Sequence, residues 1–217
     1  MKRMKTNHRL LKFGGITLIG SGLLFLAQYL FLRPVPSPPL QAAALLSWLS
    51  EWRFQLSMAD EVLFFAAVLL IPSIAALYRL LVQVNPVLTV FGCGLLAVSV
   101  PVYIVLVIIL GRLVYPVYGI ELTPESYRLI ISFYYGGVHC VALVVGIATI
   151  LLSLVIWKSG LGIFTAALGL LTGVFDLIGS YPWLLGEGMI LISQLLFAGW
   201  FVMLGVNMRM IAIRGTD

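Results

Sequence analysis

Six apolar runs, each long enough or nearly long enough to cross a lipid bilayer, follow one another through a chain of 217 residues. In hydrocarbon a backbone amide or carbonyl meets no water, so a crossing segment must satisfy its own hydrogen bonds, and the α-helix is the single segment that does so. With 62% hydrophobic and 10% charged residues, and a mean hydropathy of +1.12, the chain carries more apolar surface than one water-soluble domain of this length can hide. The fold class expected is therefore all-α: a polytopic integral membrane protein organised as one transmembrane domain over residues 1–217.

The spans fall at about 13–32, 61–81, 87–111, 129–157, 161–179 and 187–208. Residues 1–12 hold five basic side chains and no acid, and the run after them is longer than the apolar core of a secretory signal, about 7–15 residues. It reads as an uncleaved span, with Gln41-Ala42-Ala43 leaving signal cleavage as the alternative. Its Gly14, Gly15, Gly20 and Gly22, with Thr17, Ser21 and Gln28, make it thin and slightly polar, which suits close helix packing. The four prolines of Arg33 to Pro39 end it. Over 40–56, Leu45, Trp48, Leu49, Trp52 and Leu56 share one side, so a short amphipathic helix is expected on the outer surface, its tryptophans at headgroup depth. Pro72 and Pro101 are expected to kink the second and third spans.

Charge distribution orients the chain. Nine of the thirteen Lys and Arg residues fall on the side of the N-terminus, and every acid except Asp217 falls on the other side or at a span end facing it. The positive-inside rule then places both termini in the cytoplasm. This basic excess is a topology and anionic-lipid signal, not a nucleic-acid arm.

The fourth span shows the polar content best. Arg128, Ser132, Tyr135, His139, Ala142, Gly146, Thr149 and Ser153 recur at steps of three and four, so a helix carries them as one seam through an otherwise apolar surface. The fifth span repeats the pattern with Thr165, Gly169, Thr172, Gly173 and Asp176. If the seams of the last three spans meet, Tyr135, His139, Asp176, Glu187 and Gln194 surround one polar pocket. Asp60, Glu61, Arg112 and Arg128 lie at outer span ends, where mutual ion pairs are expected to staple the helices.

No second His lies in any span, so neither a haem nor a metal site is expected, and no cofactor is. Cys93 and Cys140 lie apart in apolar runs and read as buried free thiols. Phosphate-loop, dinucleotide, zinc-protease and nucleophile-elbow signatures are absent from the sequence.

The segment Trp52 to Glu61 leading into LFFAAVLLIPSIAALYRLL, the pair Asn85-Pro86, ESYRLIISFYYGGVHC, Lys158-Ser159-Gly160 and LGLLTGVFDLIGSYP together resemble an uncharacterised bacterial six-span family, catalogued as domain of unknown function four-three-eight-six. The resemblance covers about Leu40 to Arg209; the basic N-terminal tail and Pro-rich exit depart from it. It implies a bacterial plasma-membrane location and the six-span architecture, and no activity. Three functions stay open: binding or transport of a small hydrophobic or amphiphilic molecule, an accessory or protective role beside a membrane-protein partner, and lipid-modifying catalysis by His139 with Asp176 or Glu187.

Overall fold

Each apolar run forms a helix, and the linkers between them hold the turn chemistry. The structure is a computed structural model, described over residues 8–120, 122–181 and 186–214, without the side chains of Ala42, Ala43 and Glu187. Seven α-helices lie within these residues: α1 His8–Leu32, α2 Ala42–Glu51, α3 Arg53–Leu81, α4 Pro86–Val114, α5 Pro124–Ile156, α6 Ile163–Gly179 and α7 Glu187–Arg214. All except α2 and α6 are long and apolar enough to span a membrane, which makes five such helices. Asn85 caps α4 by accepting from Leu88 N at 3.1 Å, with Pro86 at the first helical position, where its missing amide costs nothing. Thr123 and Pro124 repeat the device at α5.

The helices pack α1 on α3, α3 on α4, α4 on α5, α5 on α6, α6 on α7 and α7 back on α1, which closes a ring of six. Neighbours run antiparallel: Thr17 Oγ1 meets Ser73 Oγ at 2.9 Å while Ser21 Oγ donates to Ala66 O at 2.8 Å. Tight joints form where glycines face backbone. A Cβ on Gly15 would lie 2.6 Å from Gly205 O, and one on Gly173 would lie 2.9 Å from Gly146 O, so any side chain there would push α1 from α7 or α6 from α5. The glycines of the first span thus pack as their pattern suggested. Phe65, Ile71, Phe91 and Ile108 are exposed on the outside of the ring, as lipid contact requires.

One end of the ring holds residue 8, the turns 82–85 and 157–162, and Arg214; we call it the terminal end. Its half of the interior is filled, with Leu70, Leu77, Leu152, Trp200 and Phe201 almost fully buried. Thr149 and Ser153 of the α5 seam are buried there too. The opposite end holds the described linker residues 33–41, 115–120, 122–123, 180–181 and 186.

Two expectations are corrected. The helix expected over 40–56 is shorter, and its apolar side packs on the bundle: Leu45, Trp48 and Leu49 of α2 are buried, and the helix packs on α5 and α3. Trp48 Nε1 donates to Pro36 O at 3.1 Å, which folds the linker under it. An apolar stripe bound for a membrane surface serves equally well to close the open end of a ring. Helix α3 consequently starts at Arg53, two turns before the expected 61. Cys140 is the second correction, being exposed while Cys93 is buried. It shares the outward stripe of α5 with Gly136 and Phe133, four and seven residues away. Pro72 and Pro101 lie within continuous helices.

Candidate functional site

At the end opposite the termini the ring encloses a cavity of about 310 Å³. Every helix contributes a wall residue: Phe25, Trp48, Leu63, Tyr103, Tyr134, Asp176 and Ser193 come from α1 to α7 in turn. Aromatic rings form its floor. Phe25 stacks against Tyr103 with centroids 4.9 Å apart and meets Phe197 edge-on at 5.6 Å, and Phe197 rests on Phe201 at 4.3 Å. Trp48 on the docked α2 and Val35 of the linker add to the lining.

Few polar groups interrupt this surface. Ser193 Oγ on α7 donates to Asp176 Oδ1 on α6 at 2.7 Å, and both side chains are buried. The other carboxyl oxygen, Oδ2, is buried with no hydrogen-bond partner among the described residues. The same α6–α7 joint continues downward through Thr172 Oγ1, whose single proton lies between Leu168 O at 2.8 Å in its own helix and Leu196 O at 3.2 Å, and Asn207 Nδ2, which donates to Leu161 O at 3.1 Å. These bonds hold the carboxyl at one fixed depth. Gln28, Tyr29, Tyr103, Tyr134, Tyr135, Ser180 and Gln194 add to the polar lining.

Of the five residues expected to share a pocket, the structure brings together Tyr135, Asp176 and Gln194. His139 does not line the cavity. Its Nδ1 lies 2.6 Å from Ser180 O, and since a carbonyl only accepts, that nitrogen carries the proton. The ring also rests on Tyr181, with centroids 4.8 Å apart. His139 therefore ties the middle of α5 to the last turn of α6, one step behind the wall that Ser180 and Asp176 form. The Glu187 side chain lies outside the described residues.

Two of the four groups expected to pair at span ends take other partners. Glu61 Oε1 accepts from the Tyr115 hydroxyl at 2.9 Å, and Arg112 Nη2 donates to Ile120 O at 2.9 Å. Partial burial first, then the bond to Glu61, holds the Tyr115 phenol above its ordinary range, so it stays a donor. Arg128 is exposed. Asp60 is buried, because α4 turns Gly111 toward it and not Arg112: a Cβ on Gly111 would lie 3.1 Å from Asp60 Oδ2. Among the described residues no ion pair joins any two of these four. Nor does any group of three or more His, Cys, Asp or Glu converge among them.

Sequence reasoning passed over the aromatic floor. Phe25, Tyr103, Tyr134 and Phe197 sit in spans where aromatic residues are ordinary lipid-facing material. Searches of protein-family models, of curated proteins and of solved structures returned no match to this chain.

Proposed function

We propose that the chain is a six-span protein of the bacterial plasma membrane, with both termini in the cytoplasm, that binds a small hydrophobic or amphiphilic molecule in the cavity beside Asp176. The sixth crossing is α6. At 1.5 Å per residue its 17 residues cover about 25 Å, short of a hydrocarbon core of about 30 Å. However, α5 and α7 run in the same direction, so the chain between them has to return across whatever thickness they cross. Local thinning of the bilayer accommodates such a deficit at small cost. Positive charge at the terminal end supports the cytoplasmic assignment.

The observation that carries the binding role is the cavity itself. A volume of about 310 Å³ lies at the lower edge of the range for small-molecule sites, and apolar walls with a few convergent polar groups are their usual make-up. The terminal end also holds a cleft, of about 360 Å³ between α6 and α7, but its walls include the exposed Phe164 and Met210 and it lacks the aromatic floor. The filled terminal half supports binding over a continuous pore. The catalytic alternative needs the His139 imidazole on a carboxylate; the His139 bond seen among the described residues goes to Ser180 O.

The test uses Ala142, a small residue of α5 on the cavity wall. The protein in lipid nanodiscs is titrated with phenylbutanol and followed by tryptophan fluorescence, since Trp48 lines the site. Saturable binding is expected, abolished by Ala142→Phe and kept by Ile147→Phe on the exposed face of the same helix. Binding that ignores both substitutions contradicts the proposal.

A further inference from the structure

We infer that the molecule held in the cavity presents a protonated amine to Asp176, with an apolar, ring-sized body lying against the aromatic floor. The inference rests on the binding role proposed above and adds the chemical class of the ligand.

Asp176 faces a cavity that offers it one partner of the two it needs. Its Oδ1 is satisfied by Ser193, while Oδ2 is buried and unpartnered among the described residues, and the side chain is 7% exposed. A carboxyl oxygen kept from water with no donor is costly, and the deficit is removed by a ligand that brings an N–H to it. No Lys, Arg or His is present among the described residues that line the cavity. The one charge-bearing group there is an acid, so the complementary ligand is a cation.

The surroundings suit the same ligand. Tyr103, Tyr134 and Phe25 turn aromatic rings on the cavity from three different helices, and ring faces attract ammonium groups once water is excluded. Gln194 and Ser180 supply oxygens for further N–H groups. An anionic headgroup would find no cation here, and it would set like charge against Asp176 in a medium that screens poorly.

The experiment compares phenylbutylamine, an ammonium ion at neutral pH, with phenylbutanol, its uncharged isostere. Both are titrated into the full-length protein in nanodiscs, with Ala142→Phe giving the lipid-partition background. Charge-assisted hydrogen bonding predicts a preference for the amine of about tenfold or more. Asp176→Asn is expected to remove the preference while alcohol binding persists. Because the amine-to-alcohol comparison needs only the unmodified protein, it decides the matter even if Asp176→Asn fails to fold. Equal affinity for both probes overturns the amine assignment and leaves the cavity as a binding site. Saturable binding of neither overturns both.

Discussion

At the scale of single residues, burial and hydrogen-bond count decide which polar groups act on the cavity and which hold helices together. Asp176 and His139 look alike in the sequence, each a lone ionisable group on a seam of small residues. Only the fold separates them, because the partner of His139 is the backbone carbonyl of Ser180, 41 positions away, and no side-chain pattern announces a carbonyl. Asp176 is legible as an inward-facing group since hydrocarbon offers a carboxyl no partner. Its pairing with Ser193 makes a prediction at this scale. Ser193→Ala leaves both carboxyl oxygens unpartnered, and thermal unfolding in detergent should show a loss of about 1–3 kcal/mol. An unchanged unfolding temperature would mean that Asp176 is satisfied by some other group.

Among the elements, α1 and α2 mark the limits of what sequence pattern can express. Gly14, Gly15 and Gly22 of α1 are spaced for close approach, and the structure uses them so, against Ala76, Gly205 and Phe201. The amphipathic pattern of α2 is equally legible, but its destination is not: an apolar stripe fits a membrane surface and an open bundle end for the same reason. What decides is that the ring leaves a hollow at that end, and the hollow depends on contacts among all the other helices. Trp48→Ala removes the largest side chain that α2 buries, together with its bond to Pro36 O. The expected cost is about 3–5 kcal/mol, read by thermal unfolding, with faster release of bound phenylbutanol in stopped-flow fluorescence. If stability and release are both unchanged, α2 does not close the site.

The whole molecule follows from one rule applied six times: each apolar helix turns its few polar and small residues toward its neighbours, and six such helices in antiparallel sequence close on themselves. Class, helix order and most boundaries were legible because they depend on local composition. The cavity was not, since a hollow is a property of a ring and no segment carries it. Orientation in the membrane belongs to this scale as well. A reporter active only in the cytoplasm, fused after Asp217, should be active, and a silent fusion whose periplasm-specific counterpart is active would reverse the assignment. The most direct measurement is an experimental structure of the protein in lipid nanodiscs. The account predicts a closed six-helix ring with the Asp176 carboxylate on Ser193, facing a hollow floored by Phe25, Tyr103 and Phe197. A carboxylate turned outward to the acyl chains, or a hollow occupied by the protein's own side chains, would contradict it.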